Sequence, residues 1–409
     1  MKIELYTLTS CIHDQEAIDR NTRDFLEAIE KESGCQFEMK GQHFEDYNEA
    51  ALPLIYVRTG GTEAIYKQVE HLIDGKVRLL TSGKSNSLAA SMEILSYLNQ
   101  HGRKGELLHG SVSYIGRRIV EEFQIAQAKK ALSGTRLGVI GQPSDWLIAS
   151  SVDRAAVQEK LGITLVDIDI QELVEACKTV DLNQPLEDEG LEERISAHFD
   201  QSAGPGLVKY KEGSMRIYRA LDRLVRQYDL SGFTLRCFDL LTAIGNTGCM
   251  ALALFNTRGI PATCEGDIPA MLTMAVGNAL TGFSGFQANP AQIDPEKNEM
   301  MLAHCTVPLN MVRKHVYDTH FESGIGVAVH GELPEGPATI VKFSGQLDRL
   351  YAKDVELLRN TYGKDLCRTQ IIVKGEGFSD YFLNNPIGNH HVVFSGHLSR
   401  LFEAFFRSL

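Results

Sequence analysis

The sequence lacks several patterns that mark well-known protein classes. Its eight cysteines never form a C-x-x-C pair, so neither zinc-finger chemistry nor a disulfide framework is supported. No apolar run approaches the roughly 20 residues that span a bilayer. The first residues, MKIELYTLTS, lack the charged-then-apolar layout of a signal peptide. We therefore expect reduced thiols, a cytoplasmic location and no membrane partner.

Basic clusters and nucleotide-binding fingerprints are also missing. The formal net charge is −12 and no Lys/Arg block occurs, so we expect no nucleic-acid partner. No G-x-G-x-x-G motif follows a predicted strand, which leaves a dinucleotide cofactor unsupported. The absence of a G-x-S-x-G elbow argues against an α/β-hydrolase.

The chain has 409 residues, which is longer than a domain with a single hydrophobic core usually is, so we expect several domains. Strand-like and helix-like patterns alternate through most of it, which predicts parallel sheets covered on both faces. From about residue 335 the pattern becomes β-rich, after a turn-rich stretch at Gly331–Pro337 that resembles a linker. The predicted domains are 1–133, 134–334 and 335–409.

Carboxylates follow two predicted strands of the second domain. The strand Phe233–Phe238 leads to Asp239, and the strand Pro261–Cys264 leads to Glu265 and Asp267. Ligand sites of open α/β sheets form at the edge where such strands end. Three carboxylates gathered there would repel each other unless a cation or protons compensate, and a divalent metal does so economically. Asp267 also precedes a helix start, so it is equally well placed as an N-cap.

Four histidines are further candidates. His390 and His391 are adjacent and would point to opposite sides of an extended strand, so one of them at most faces a given pocket. For His391 we favour a surface or hydrogen-bonded core position. His304 and His320 lie between apolar residues and rank second as ligands, because such histidines are more often hydrogen-bonded core residues.

At these residues the chain resembles the L-fucose/L-arabinose isomerase superfamily, nearest to its L-fucose isomerase-like branch. The stretches that carry the resemblance are CFDLL, GIPATCEGD with the following IPAMLTM, AHCTVP, GNHHVVFSGH and IGQPSDWLIAS. Asp239 stands where the family has a Glu, and the chain is shorter than a typical fucose isomerase.

The resemblance implies two Rossmann-like parallel-sheet domains, a C-terminal β-barrel-like domain, and a trimer or hexamer. It implies a divalent ion, Mn²⁺ first with Mg²⁺ or Co²⁺ as alternatives. The ligands it implies are Asp239, Asp267 with Glu265 as the competing match, and His390. It assigns proton transfer to Asp239 and Asp267. Three candidates remain to orient the sugar hydroxyls, namely Arg236, Asn389 and His397.

The sequence thus predicts an aldose–ketose isomerase that acts on an open-chain sugar through an enediol or enediolate. A sulfosugar (sulfoquinovose) isomerase and a catalytically degenerate sugar-binding homologue are the alternatives. A different metal enzyme, such as an aldolase or epimerase, would share the ligands.

Overall fold

The computed structural model describes residues 1–12, 14–182, 195, 198, 199 and 205–409. The chain divides into two compact units, Met1–Gln127 and Ala128–Leu409. The acidic stretch 182–190 contains a proline and is expected from its sequence to be a surface excursion, but it falls almost wholly outside the described residues.

The first unit is built on a parallel sheet, and helices connect most of its consecutive strands. Its strands are β1 (Lys2–Leu8), β2 (Gln36–Gly41), β3 (Leu54–Val57), β4 (Val77–Leu80) and β5 (Gly105–Leu108). They lie in the order β2-β1-β3-β4-β5. Its helices are α1 (Gln15–Ser33), α2 (Glu63–Val69), α3 (Ser87–Gln100) and the start of α4 (Val112–Leu132). Both faces of the sheet pack against apolar side chains, which explains why β3, with the sequence LIYV, is hydrophobic at every position.

The second unit begins with a smaller parallel sheet. Its strands are β6 (Arg136–Ile140), β7 (Thr164–Ile168), β8 (Gly232–Leu235) and β9 (Ala262–Cys264), in the order β7-β6-β8-β9. Its helices are α5 (Arg154–Leu161), α6 (Ile170–Thr179), α7 (Pro205–Gln227), α8 (Asp239–Ile244), α9 (Cys249–Thr257) and α10 (Ile268–Thr281). Helices α9 and α10 are buried almost all round, as their apolar sequences require.

The second unit also contains a closed antiparallel barrel. Its strands are β10 (Phe286–Asp294), β11 (Glu299–His304), β14 (Gly336–Phe343), β15 (Leu350–Thr361), β16 (Thr369–Lys374) and β17 (His391–Ser395). The order is β10-β11-β16-β15-β14-β17, and β17 closes the ring by pairing with β10. A separate ribbon pairs β12 (Lys314–Asp318) with β13 (Ala328–Glu332). Helices α11 (Phe378–Asn384) and α12 (Ser399–Arg407) complete this part.

The predicted fold class of two parallel-sheet regions and a barrel is confirmed. The linker-like stretch Gly331–Pro337 contains the end of β13, the connection 333–335 and the start of β14. The barrel takes two strands from before residue 335. The domain boundaries stay predictions.

Candidate metal centre

Two neighbouring strands of the second sheet bring the first part of the site together. Leu235 at the end of β8 is in register with Cys264 at the end of β9. The residues that follow, Arg236 and Glu265, therefore leave the sheet at the same edge. The expected strand Phe233–Phe238 ends three residues early, so Asp239 is the first residue of α8 rather than a strand-end residue.

The turn after β9 has an unusual backbone. Glu265 adopts φ 64°, a left-handed conformation that costs a non-glycine residue about 1 kcal/mol. Gly266 follows at φ 69°, and a Cβ there would lie 2.6 Å from the carbonyl oxygen of Gln142. The Ser144 N–H donates to the carbonyl oxygen of Glu265 across 2.9 Å. Packing against residues 142–144 thus holds the Glu265 side chain in one direction.

The barrel supplies two histidines from strands on either side of β10. His304 is the last residue of β11, and His390 directly precedes β17. Both strands pair with β10, Ala303 opposite Asn289 and His391 opposite Ala288. The antiparallel register therefore places His304 and His390 at the same end of the barrel, with ring centroids 5.5 Å apart.

Glu265, His304 and His390 form the central cluster. Each offers one ligand atom, and these atoms all lie within 4.8 Å of one another. The three residues are buried, with His390 fully so. His390 Nε2 lies 3.4 Å from Glu265 Oε1, near enough for attraction but without the geometry of a hydrogen bond. Among the described residues, Nε2 of His390 is therefore a buried imidazole nitrogen with no hydrogen-bond partner.

Asp267 and Lys342 lie behind this cluster. Asp267 Oδ2 is 2.9 Å from His390 Nδ1, and its carboxylate is 3.4 Å from the Nζ of Lys342. It also accepts a hydrogen bond from the Ala270 N–H, so the expected N-cap of α10 is present. A carboxylate on one ring nitrogen fixes the imidazole's orientation and leaves the other nitrogen to face a ligand.

The electrostatics of the cluster follow from burial and close pairing. Burial alone would lower the pKa of His390, but Asp267 and Glu265 outweigh it and raise that pKa to about 9. Burial would raise the pKa of Glu265, yet His390 and Trp146 lower it to about 2. Against burial, Lys342 and His390 hold the pKa of Asp267 well below its usual range. Burial, with help from His390, lowers the pKa of His304 to about 4.

The residues present fit a divalent metal ion. Two carboxylates and one ammonium leave a formal charge of −1 on the site when its imidazoles are neutral. The raised pKa of His390 reflects the same excess of negative charge, and a bound cation would supply the positive charge in place of the ring proton. A metal in contact with His390 Nε2 would satisfy the partnerless nitrogen. Glu265 and His304 would complete a mixed oxygen and nitrogen set of the kind that transition metals accept.

Other predicted site residues lie outside the cluster. Asp239 pairs with the Nε of Arg236 at 3.1 Å, and its side chain is 40% exposed. Arg236 also donates to the carbonyl oxygen of Pro143 and to Asp145. Arg236 and Asp239 line a cleft of about 810 Å³ that opens beside Ile268. The structure brings His390 to Glu265 and Asp267, and it places Asp239 at this cleft.

The remaining predicted polar residues have partners of their own. The exposed Asn389 accepts a hydrogen bond from the His390 N–H through Oδ1. His397 pairs with Glu356 at the surface. His391 is buried and hydrogen-bonded with the Tyr381 hydroxyl, which is the core alternative of the two positions favoured for it. His320 is buried and bonded to Ser323.

Two residues of the site, Lys342 and Trp146, were not among the candidates taken from the sequence. Lys342 lies in the apolar run ATIVKFSG, where strand alternation alone does not show that an ammonium is buried beside an acid. Trp146 donates from Nε1 to Glu265 Oε2 across 2.6 Å, yet the two are 119 residues apart. Its being the single tryptophan of the chain was the one available signal.

Fold and site together define an α/β protein with a C-terminal barrel and a buried acid–histidine centre suited to a divalent metal. The chain is similar to sulfoquinovose isomerases. One from Clostridium sp. (strain MSTE9) is 31% identical over 182 residues, 43% of this chain and 37% of that protein. One from Priestia aryabhattai is 22% identical over 283 residues, 67% and 61% respectively. One from Alkalicoccus urumqiensis is 21% identical over 239 residues, 57% and 51%.

These matches cover only part of each relative, between 37% and 61% of its length. No family model matches the chain. Across the described residues, no helix combines the length and apolar character needed to cross a bilayer.

Proposed function

We propose that this chain is a metal-dependent aldose–ketose isomerase that acts on an open-chain sugar through an enediol or enediolate. The observation that carries the proposal is the cluster of Glu265, His304 and His390, in which a buried imidazole nitrogen has no partner. The similarity to proteins named sulfoquinovose isomerase supports the same reaction class.

The proposed ion is Mn²⁺, with Co²⁺ as the next choice. Magnesium prefers an all-oxygen shell, and two imidazoles weigh against it. A bound ion of this kind supplies Lewis acidity that polarises the sugar carbonyl and the neighbouring hydroxyl.

The chain's own residues have distinct proposed tasks. Glu265, His304 and His390 hold the ion. Asp267 is fully buried and engaged by His390, Lys342 and the Ala270 N–H, so we assign it to orienting His390. This task differs from the direct ligation and proton transfer implied by the family resemblance.

Proton transfer between adjacent sugar carbons needs a carboxylate that a substrate can reach. Asp239 is half-exposed and faces the cleft, unlike Asp267. We therefore keep Asp239 as the proposed proton-transfer group, with Arg236 holding its carboxylate in place. Glu265 is the competing base, because it lies in the cluster itself.

The proposed substrate is an aldose, and sulfoquinovose is the first to test because the relatives carry its name. Asn389 and His397 stay proposed hydroxyl-binding residues. Both are exposed, Asn389 directly before His390 and His397 beyond the opposite end of β17. A trimer or hexamer stays the proposed assembly.

The experiment is a conversion assay with metal removal. Protein stripped with a chelator and then given Mn²⁺ should form ketose from an aldose panel that includes sulfoquinovose and L-fucose, with the product identified by NMR. The stripped protein should be inactive. Mn²⁺ binding without any ketose would favour the degenerate sugar-binding homologue, and activity in the stripped protein would contradict the proposal.

A further inference from the structure

Trp146 occupies the solvent side of the metal centre. Its Nε1–H donates to Glu265 Oε2 across 2.6 Å, while the other oxygen of that carboxylate faces His390. The rest of the residue is not buried, since 52% of its surface is exposed. Trp146 therefore binds Glu265 through its N–H while about half of the residue remains accessible to solvent.

The indole is held in place by aromatic and backbone contacts. Its ring packs edge-on against Phe238 with centroids 5.0 Å apart, and Phe238 packs edge-on against His320 at 5.6 Å. The loop that carries it is tied to Glu265 through the Ser144 N–H. Because the ring is already fixed, a ligand that binds beside Glu265 can contact it with little loss of side-chain conformational entropy.

We propose that Trp146 is a substrate-positioning residue with two separable functions. Its N–H holds Glu265 in the direction that faces His390, and its exposed ring provides an apolar platform for the C–H face of a sugar. This inference rests on the proposed function and adds a residue to it. Sugars carry apolar faces between their hydroxyls, and aromatic rings supply large, rigid apolar area at binding sites.

Two substitutions separate the functions. Trp146→Phe keeps a ring but removes the N–H, so Mn²⁺ binding should weaken about tenfold while the KM for sugar rises less than about threefold. Trp146→Gln keeps an N–H donor without the ring, so Mn²⁺ binding should change little while KM rises about fivefold to tenfold. Phe283→Ala, which removes another exposed aromatic residue of the second unit, is the control and should change neither quantity.

Fluorescence gives a readout that does not depend on turnover. Trp146 is the single tryptophan, so tryptophan emission reports this residue alone. In the native protein, Mn²⁺ should quench the emission, because a paramagnetic ion would lie next to Glu265. With Mn²⁺ bound, sulfoquinovose or L-fucose, whichever is converted, should protect the indole from acrylamide quenching.

The outcomes are distinguishable from failure of the proposed function. If native protein binds no Mn²⁺ and converts no sugar, the isomerase proposal fails. If native protein does both, yet the Phe and Gln variants behave alike, the two-part assignment of Trp146 is overturned. An indole already shielded from acrylamide before sugar is added would also overturn the platform, because another surface would then cover the ring.

Discussion

Each unit contains a group of buried charged side chains. The two groups differ in whether side chains of the chain itself supply all the partners that the buried groups need. In the first unit, Glu122 is 4% exposed and meets Lys76 at 2.9 Å, Arg78 at 2.7 Å and Arg118 at 3.1 Å. Glu106 shares Lys76 and Arg118, and Glu121 also pairs with Arg118, so three cations meet three carboxylates. In the second unit, Glu265 meets two histidines, and one buried imidazole nitrogen has no hydrogen-bond partner.

The difference separates a structural network from a ligand site. A buried ion pair whose partners all come from the chain stabilises the fold only if every charge is satisfied, as that of Glu122 is. A buried cluster that ends in an unsatisfied donor or acceptor costs free energy unless something else binds there. Perturbed pKa values occur in both groups, so the ligand types distinguish them: the second group sets two imidazoles beside a carboxylate, as a transition metal accepts, whereas the first pairs carboxylates with cations.

The largest expected effect comes from removing the imidazole of His390. His390→Ala should abolish stoichiometric Mn²⁺ binding and lower ketose formation by about a thousandfold, because a ligand and the Lewis acidity it secures are both lost. Metal content of the purified protein and initial rates measure this. His43→Ala removes an exposed histidine of the first unit and should change neither. Equal metal content in the two variants would show that His390 is not a ligand.

The next effect concerns the support behind the ligand. Asp267→Asn should weaken Mn²⁺ binding about tenfold to a hundredfold, since the partner of His390 Nδ1 loses its charge. It should also lower the free energy of unfolding by about 3 kcal/mol, because Lys342 is left buried without a counter-charge. Calorimetric metal titration and urea unfolding measure the two losses.

A double variant separates these two losses. Asp267→Asn with Lys342→Met should recover most of the stability but not the metal affinity. Asp153→Asn, at the N-cap of α5, controls for the change of cap and should alter neither. Recovery of metal affinity in the double variant would mean that Asp267 acts only as a structural cap and counter-charge.

In the first unit, Glu122→Gln should cost stability alone. Burial would raise the pKa of Glu122, but Arg78 and Lys76 lower it to about 2. Because the folded pKa lies below the unfolded value, this stability is complete above about pH 4.5 and disappears as pH falls towards 2. The variant should lose about 3 kcal/mol at neutral pH, and the difference from native protein should shrink in acid.

Urea unfolding from pH 7 to pH 3 measures this difference. Glu93→Gln, on the exposed side of α3, is the matched control. A difference between native protein and the Glu122 variant that is independent of pH would argue against the ionic account.

The smallest effect on metal binding is expected at the cleft. Asp239 pairs with Arg236 and lies outside the cluster, so Asp239→Asn should leave Mn²⁺ affinity within about twofold. If Asp239 transfers the proton, kcat should nevertheless fall about a hundredfold or more. Loss of metal from this variant would restore the ligand role expected from the family resemblance. Unchanged kcat would leave Glu265 as the base.

The sequence predicted the parallel sheets and a β-rich C-terminal part because strand and helix periodicities are local properties, whereas the barrel was implied by the family resemblance. It also indicated Glu265, Asp267 and His390, because carboxylates at strand ends and a family-like Asn-His motif can be recognised from the sequence alone. It ranked His304 second, because a histidine between apolar residues looks the same whether it is a core residue or a ligand. Only the barrel register, which joins β11 and β17 through β10, brings it to His390.

Helix faces show a similar limit. The apolar spacing of Ser85–Leu98 predicts a helix whose core face holds Leu88, Met92, Leu95 and Leu98. Leu98 is buried as predicted, but Met92 is 55% exposed. The structure also buries Ser87, Ala90, Ser91 and Ile94 of α3. Small residues allow close approach to the sheet, a property that depends on the opposing surface rather than on the helix sequence.

The most direct test of the metal centre is a crystal structure of the Mn²⁺-loaded protein with anomalous scattering data. We predict one strong peak in contact with a carboxylate oxygen of Glu265, Nε2 of His390 and a ring nitrogen of His304. Asp267 should remain on Nδ1 of His390 without touching the metal. A peak elsewhere, or none at His390 in protein shown by metal analysis to carry stoichiometric Mn²⁺, would contradict this assignment.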